Sequence, residues 1–267
     1  MTPDYTPATD RSRGVETVSQ RCSTRFERTA ELAAESPTLI EGLPGLGLVA
    51  SITVDQITTQ LGLQQYGTIV SDEFPTVASF DEGRVRDAVR VYASADPAVM
   101  TLQSDVAIPP DAVEALSECV LTDLAERFDR AVFLAGAPAE SEEEVGDIVG
   151  VATTDGLEAA LLDAGITLAE GPGVVGGVTG SLVADCYHGD VPAAVLVVRS
   201  NPYIPDPGAA RAVIEEALEP LVEFDIDTEL LRERAEEIQR RKQQIAEQLR
   251  QYQQDGDQQP SMPSMYQ

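Results

Sequence analysis

Several residue types are rare or missing in this chain of 267 residues. It has no tryptophan, one histidine and three cysteines. The cysteines (Cys22, Cys119 and Cys186) are odd in number and far apart, which predicts reduced thiols in mostly structural roles. The longest apolar run, residues 191–198, is far shorter than the roughly 20 residues that cross a bilayer. Because the N-terminus also has no apolar stretch typical of a secretory signal, we expect a soluble, cytoplasmic protein.

Positive charge is also scarce. Lys and Arg total 18 against 46 Asp and Glu, so the formal net charge is −28 and the pI is about 4.1. This balance argues against nucleic-acid backbones and anionic membranes as partners. Lys242 is the one lysine, and an acid-rich chain with so little lysine is typical of a halophilic protein. In such a protein, screening over about 3 Å at 1 M salt suppresses self-repulsion.

Short apolar runs alternate with stretches of helical periodicity from Pro37 onward. Several runs are fully apolar, which indicates a sheet covered on both faces. The predicted fold class is α/β, a three-layer α/β/α arrangement with a largely parallel sheet, plus a C-terminal amphipathic or coiled-coil helix. The predicted strands are Thr38–Glu41, Tyr66–Ser71, Arg90–Ala93, Ala98–Leu102, Arg130–Ala135, Val149–Thr153 and Ala193–Ser200, and the predicted helices within the core are Val49–Leu61, Asp111–Arg127, Thr154–Ala164, Gly180–Tyr187 and Ala209–Glu223.

Composition divides the chain into four parts. Residues 1–20 are polar and contain two prolines, which predicts a flexible N-terminus. Residues 21–224 form the predicted α/β core domain, and residues 225–252 form the predicted C-terminal helix. Residues 253–267 are rich in Gln, Asp, Ser and Pro and cannot form a core, which predicts a flexible tail.

The C-terminal helix has a heptad seam in which residues recur alternately four and three positions apart. Ion pairs from Glu to Arg at i, i+4 support the helix. The seam covers only about three heptads, so two interpretations stay open: it could join copies of the chain, or it could pack on its own domain. The seam residues are Leu231, Ala235, Ile238, Lys242, Ile245, Leu249 and Tyr252.

Two glycine-rich turns each lead into a predicted helix. Such turns expose backbone N–H groups at helix N-termini, where anions can bind. Neither turn has the Gly-Lys-Ser/Thr of a phosphate loop, and the first meets the dinucleotide pattern only in a loose form. Close backbone packing explains each glycine, but the two turns could together line a small-ligand cleft at the carboxyl ends of the strands. The candidate residues are Gly42, Pro44, Gly45 and Gly47 in the first turn and Gly173, Gly176, Gly177 and Gly180 in the second.

Nucleophilic and metal chemistry has little support in the sequence. The one histidine, His188, lies two residues after Cys186, but no further His or Cys falls within zinc-site spacing, so a surface or core-edge histidine is the better interpretation. The acidic run 140–144 has no basic partner and reads as a solvated loop. We therefore predict no catalytic residues, no metal and no cofactor.

The last three residues of the sequence are Met265, Tyr266 and Gln267, which form a hydrophobic-Tyr-x motif after the predicted tether. An apolar anchor, a phenol and a terminal carboxylate suit a pocket that offers a cation and backbone donors. These residues are the predicted partner-binding site.

Five segments, in this order along the chain, resemble the proteasome assembly chaperone 2 family. They are Gly42-Leu-Pro-Gly-Leu-Gly47, Asp72-Glu-Phe-Pro-Thr-Val-Ala78, Gly83–Tyr92, Gly171–Gly180 and Asp225-Ile-Asp-Thr-Glu-Leu230. The resemblance covers about Thr38 to Leu249. It implies a fold akin to nucleoside phosphorylases without established catalysis, an archaeal chaperone homologue that forms homo-oligomers, and binding of 20S proteasome α subunits through Met265, Tyr266 and Gln267.

The expected function is therefore a non-catalytic proteasome-binding protein that is an assembly chaperone homologue or an ATP-independent activator or adaptor. One alternative is a small-molecule-binding protein or phosphorylase-like enzyme that uses the glycine-loop cleft. Another is a purely oligomeric scaffold, in which the C-terminal seam makes the assembly and the terminal motif is incidental.

Overall fold

A computed structural model describes residues 24–31 and 34–256, with side chains described as far as residue 245. Its centre is an eight-stranded sheet in the order β1-β3-β6-β7-β2-β8-β10-β9, with a separate two-stranded hairpin formed by β4 and β5. The strands are β1 Thr24–Arg28, β2 Thr38–Gly42, β3 Gln64–Ser71, β4 Ser79–Asp81, β5 Arg84–Arg86, β6 Val89–Ala95, β7 Ala98–Ser104, β8 Arg130–Pro138, β9 Ile148–Ala152 and β10 Ala193–Ser200.

The sheet is parallel at its centre and antiparallel at both flanks. The pairings β7–β2, β2–β8 and β8–β10 are parallel, whereas β1–β3, β3–β6, β6–β7 and β10–β9 are antiparallel. Because two antiparallel steps separate β3 from β7, five strands (β2, β3, β7, β8 and β10) run in one direction. All five residues of β2 are buried, as expected for a central strand covered on both faces.

Helices cover both faces of the sheet. One face packs against α1, α3, α5, α6 and the start of α7, and the other packs against α2 and α4. Two hydrophobic cores therefore lie on either side of the sheet, and the three-layer α/β class with a C-terminal helix is confirmed. The helices are α1 Val49–Gln60, α2 Val113–Cys119, α3 Asp155–Asp163, α4 Gly177–His188, α5 Pro207–Val213, α6 Glu219–Val222 and α7 Glu229–Gly256.

Two helices contain a wider turn. After α2 the chain continues through a π-helical turn, Val120–Leu124, and α5 reaches α6 through a second one, Ile214–Leu218. The helix predicted over Asp111–Arg127 therefore also begins and ends in a 3-10 turn (Pro110–Ala112 and Ala125–Arg127), whereas the one predicted over Ala209–Glu223 is interrupted only by its π-helical turn. The π-helical turns keep buried residues in the core. The final helix begins at Glu229 rather than at residue 225 and extends to Gly256.

Three short strands, β1, β4 and β5, were not predicted from the sequence. In β1 only the first of the five residues is buried, so its polar pattern resembles a loop. In the β4–β5 hairpin each strand has only three residues. The turn between them, Glu82-Gly83, has positive φ at both residues (45° and 78°), which is the backbone of a tight hairpin turn.

Candidate functional site

The loops that follow the parallel strands all lie at one edge of the sheet, here named the carboxyl edge. It comprises the loops after β2 (43–48), β3 (72–78, leading into the hairpin), β7 (105–109), β8 (139–147) and β10 (201–206). Ligands of open α/β sheets bind outside this edge. Candidate residues that lie at the carboxyl edge are therefore the ones placed to bind a ligand.

The first glycine loop packs against the ends of β8 and β10. A Cβ atom on Gly136 would lie 2.6 Å from the Leu46 carbonyl oxygen, and one on Gly47 would lie 2.9 Å from Ser200 Oγ. Gly47 has a φ of 64°, in the left-handed region that favours glycine. Close packing is thus the structural role of glycine at these two positions.

The second glycine loop meets the first one at a buried carboxyl group, Glu41. Thr179, in the first turn of α4, donates its hydroxyl to Glu41 Oε2 at 3.4 Å, and the Leu43 amide of the first loop donates to Oε1 at 2.8 Å. The Leu134 amide on β8 donates to Oε2 at 3.4 Å. The structure therefore brings the two predicted loops together at the end of β2.

Glu41 is fully buried, and no cation lies among the donors that reach it. Burial raises the pKa of its carboxyl group to about 7, although the hydrogen bonds from Leu43, Leu134 and Thr179 oppose part of the rise. Near neutral pH the group can therefore hold or release a proton. Sequence reasoning missed Glu41, and the signal was one acidic residue at the end of an otherwise apolar strand before a glycine turn.

Some glycines of the two loops face open space. A Cβ atom on Gly45, Gly173, Gly176 or Gly177 would meet nothing within 4 Å, whereas one on Gly42 would lie 2.5 Å from Val54 Cβ and one on Gly180 would lie 2.2 Å from the Val175 carbonyl oxygen. Ser200 Oγ, at the end of β10, is buried without a hydrogen-bond partner among the described residues. Each loop thus has close-packed glycines at some positions and open ones at others.

The seam of α7 passes gradually from the core into solvent. Leu231 is 1% exposed, Ala235 lies beside Gly208 in the first turn of α5, and Ile245 is 57% exposed. Because α7 runs back along α5 toward the carboxyl edge, its residues as far as Gln243 line cavities with the domain, and those after Gln243 extend beyond that edge. At 1.5 Å per residue this projecting half is about 20 Å long. The start of the seam packs on its own domain, and the side chain of Leu249 lies outside the described ones.

A cavity of about 600 Å³ lies between α7 and the loops after β8 and β10. Its lining includes Tyr203 and Ile204 from the second of these loops and Ile238 and Lys242 from α7. The chain's one lysine therefore lies in a partly apolar recess at the carboxyl edge. Glu140 and Glu142, from the acidic run of the sequence, form part of its rim.

An ion-pair cluster holds the β4–β5 hairpin at the end of β7. Asp105 accepts two hydrogen bonds from Arg90 (2.6 and 2.9 Å) and two from Arg86 (3.1 and 3.2 Å), and the Ser79 hydroxyl also donates to it. Arg86 donates in addition to Asp81 at 2.7 Å. Ser79, Asp81 and Arg86 belong to the hairpin, so the cluster attaches one of its faces to the sheet.

Arg90 is one of the largest fully buried side chains, and its remaining donors are satisfied. Its Nε donates to the Tyr92 hydroxyl at 3.0 Å and its Nη1 to the Asp87 carbonyl at 2.5 Å. Burial alone would raise the pKa of Asp105, but the hydrogen bonds and charge of the arginines and the bond from Ser79 lower it to about 2. Asp105 is therefore ionised throughout the physiological range.

The opposite face of the hairpin is apolar and open to solvent. Phe80 pairs directly with Val85 across the two strands, and these side chains are 73% and 78% exposed. Val77, just before the hairpin, is 57% exposed. We name Val77, Phe80 and Val85 the hairpin patch.

The cysteines and the histidine do not form a metal site or a nucleophilic site among the described residues. Cys186 is fully buried, and burial together with the charge of Asp185 raises the pKa of its thiol to about 12. His188 is exposed and packs edge-on against Tyr187. Cys119 is also buried, and its thiol donates to Asp123 Oδ2 at 3.5 Å, whereas Cys22 lies outside the described residues. In the described ranges no three His, Cys, Asp or Glu side chains gather as a metal site, and no helix is long and apolar enough to span a bilayer.

The predicted docking residues Met265, Tyr266 and Gln267 lie outside the described residues. What the structure does describe is the helix that precedes them. Its projecting half extends on the carboxyl-edge side and ends at Gly256, eleven residues before the end of the sequence.

The fold and its edge define a single-sheet α/β protein with a projecting C-terminal helix. The model of the PAC2 family matches residues 39–246, so the chain belongs to the PAC2 family. An uncharacterised protein of Methanocaldococcus jannaschii is 29% identical over 227 residues, which is 85% of this chain and 92% of that protein.

Two solved structures from Pyrococcus furiosus have the same fold. PbaA, an archaeal homologue of proteasome-assembly chaperone, has a TM-score of 0.75 at 22% identity, covering 87% of this chain and 96% of that chain. PbaB, an archaeal proteasome activator, also has a TM-score of 0.75, at 19% identity, covering 85% of this chain and 100% of that chain. The chain thus shares its fold with a homologue of a proteasome-assembly chaperone and with a proteasome activator.

Proposed function

We propose that the chain is a non-catalytic, cytoplasmic proteasome-binding protein, an assembly chaperone homologue or ATP-independent activator. It docks on the α-ring of the 20S particle through Met265, Tyr266 and Gln267. The observation that carries the proposal is the projecting half of α7, which extends about 20 Å beyond the carboxyl edge and directly precedes the last eleven residues of the sequence. Membership of the PAC2 family and the likeness to PbaA and PbaB support it.

A random coil of eleven residues would span about 18 Å, which is long enough for the terminal motif to enter a pocket below a docked domain. The Tyr266 ring and the terminal carboxylate supply the main contacts. In the proposed homo-oligomer, several tails acting together would raise avidity through effective concentration. The exposed seam residue Ile245 supports contacts between the projecting helices of neighbouring copies.

The test compares binding of the source organism's 20S proteasome by the full chain, by Tyr266→Ala and by a chain that lacks residues 265–267. Both changes should abolish binding while the circular dichroism spectrum stays unchanged, because the core ends well before them. Tyr187→Ala is a matched control, since it removes an exposed tyrosine at the C-terminal end of α4, away from the seam and the terminal motif. Binding that survives removal of residues 265–267 would refute docking through the terminal motif.

The convergence of both glycine loops on Glu41 favours a second candidate, a small-molecule-binding protein or phosphorylase-like enzyme. A carboxyl group with a pKa of about 7 suits proton transfer. However, Glu41 is completely buried and already accepts three hydrogen bonds, so it offers a ligand no open contact. Saturable thermal stabilisation by a nucleoside or by inorganic phosphate, lost in Glu41→Gln, would support this candidate instead.

A further inference from the structure

The segment that carries the hairpin patch is longer than its connection requires. It runs from residue 72 to residue 88 between the antiparallel neighbours β3 and β6, and such neighbours are commonly joined by two to five residues. The additional length forms a hairpin that contributes nothing to the eight-stranded sheet. Its presence therefore calls for a role outside the core.

The hairpin is held firmly while its apolar face stays open. Ser79, Asp81 and Arg86 attach one face through the Asp105 cluster, and Phe80 and Val85 lie on the other face. Single exposed apolar residues are ordinary on protein surfaces, but three neighbouring ones on a rigid support are typical of an interaction site. Rigid support also lowers the entropy lost when a partner binds.

Charge around the patch indicates the chemistry of the partner. The segment 72–87 contains five acidic residues and two arginines, and one of these, Arg86, is paired with Asp81 and Asp105. A second copy of the same surface would meet like charge, whereas a surface with Arg or Lys around an apolar depression would be complementary.

The position of the patch connects it with the C-terminal tail. The hairpin is attached at the end of β7, and at the same edge α7 lies beside the loops after β8 and β10, which are two and three strand spacings away, or roughly 10–14 Å. The projecting half of α7 forms one side of a space whose floor is the carboxyl edge. A protein held by the tail and lying beside this helix meets the hairpin on the other side.

We propose that the hairpin patch is a second docking surface, which contacts an apolar, basic-rimmed surface of the same particle that the tail engages. This inference rests on the proposed function for the identity of the particle. The patch orients the docked domain, and the tail anchors it.

The experiment measures the affinity of the full-length protein for the 20S proteasome at high salt. Phe80→Ser combined with Val85→Ser should weaken binding at least tenfold without changing thermal stability, because both side chains are exposed. Tyr187→Ser is the matched control, since Tyr187 is 63% exposed at the C-terminal end of α4, near the opposite edge of the sheet. A photo-crosslinking residue in place of Phe80 should join the protein to an α subunit, and one in place of Tyr187 should not.

The outcomes separate the two proposals. Unchanged affinity of the double variant, in a protein whose binding depends on Tyr266, would overturn the patch and leave the tail proposal standing. Weakened binding in the double variant and full binding without residues 265–267 would support the patch and refute the tail. Crosslinks from position 80 only to a second copy, or to residues 1–23 of the same chain, would overturn the patch as a proteasome contact. Absence of any binding by the wild-type protein would overturn both.

Discussion

Two acidic residues at the same edge of the sheet have opposite surroundings. Glu41 ends β2 and receives two backbone amides and a hydroxyl, whereas Asp105 follows β7 and receives two arginines and a hydroxyl. Burial acts on both, yet the pKa of Glu41 rises to about 7 and that of Asp105 falls to about 2. Neutral donors alone do not compensate a carboxylate for lost hydration, while two positive charges do.

The two surroundings also serve different structural ends. Glu41 joins the two glycine loops and is itself buried beneath them, although the loops have exposed positions. Asp105 joins the hairpin to the sheet and keeps the hairpin patch outside it. The comparison indicates that the buried carboxyl group of Glu41 holds two loops together, whereas the ion pairs of Asp105 present an exposed apolar surface.

The largest effect is expected for Asp105→Asn. The change leaves Arg90 buried without its charged partner, so the free energy of unfolding should fall by about 3 kcal/mol. A lowered pKa contributes stability above the unfolded value of 3.8 that is lost as the pH falls toward 2, so the difference from wild type should shrink in that range. Urea unfolding between pH 2 and 7 measures both quantities.

Asp72→Asn is the matched control for that change, because Asp72 is an exposed aspartate in the segment before the hairpin. Its unfolding free energy should stay close to that of wild type. Equal stability of Asp105→Asn and Asp72→Asn would show that the arginine cluster does not hold the hairpin.

A smaller effect of opposite sign is expected for Glu41→Gln. Because the folded pKa is about 7 and the ordinary value is 4.5, the folded state keeps a proton that the unfolded state has lost. Stability of the wild type should therefore decrease as the pH rises from 4.5 to 7. The shift of the pKa from 4.5 to about 7 corresponds to about 3 kcal/mol. The variant avoids this loss but gives up about 1 kcal/mol, because its amide nitrogen cannot accept one of the three hydrogen bonds, so above pH 7 it should be more stable than wild type by about 2 kcal/mol.

Chemical denaturation at pH 5 and at pH 8 measures the change. If the free energy of unfolding changes between pH 5 and pH 8 by the same amount in the variant as in wild type, Glu41 is not the group responsible for the change. Glu118→Gln, an exposed carboxyl on α2, serves as the control.

The smallest effect is expected at the glycines that close the first loop. In Gly136→Ala the new methyl group would lie 2.6 Å from the Leu46 carbonyl oxygen, and the shift of the loop should cost about 1–2 kcal/mol. In Gly45→Ala the methyl group meets nothing within 4 Å, and the backbone is extended with φ of −140°. Thermal unfolding of both variants should therefore separate them, and equal melting temperatures would contradict close packing at Gly136.

Elements with a strong hydrophobic pattern could be predicted from the sequence. Strand β10 has the predicted bounds Ala193–Ser200, and α1 ends one residue before the predicted Leu61, because apolar runs and helical periodicity are local signals. The hairpin could not be predicted in this way, since its three-residue strands are too short to show a period.

The site was predictable only in its outline. The glycine spacing located both loops, but their meeting point depends on contacts of Glu41 with distant residues. Leu134 lies 93 residues after Glu41 in the sequence, and Thr179 lies 138 residues after it. The Arg90–Asp105 pair depends likewise on the turn between β6 and β7. Contacts of this kind follow from the topology, which a single sequence does not reveal.

The position of β2 has a consequence for the order of folding. This strand is the second in the chain, yet its neighbours in the sheet are β7, which begins at Ala98, and β8, which begins at Arg130. During synthesis its apolar residues therefore stay without their neighbouring strands until about half of the protein has been made. Strand pairings between residues far apart in sequence slow folding and leave an intermediate that is prone to aggregate. A protein proposed to assist the assembly of others is therefore itself expected to benefit from a chaperone as it emerges from the ribosome.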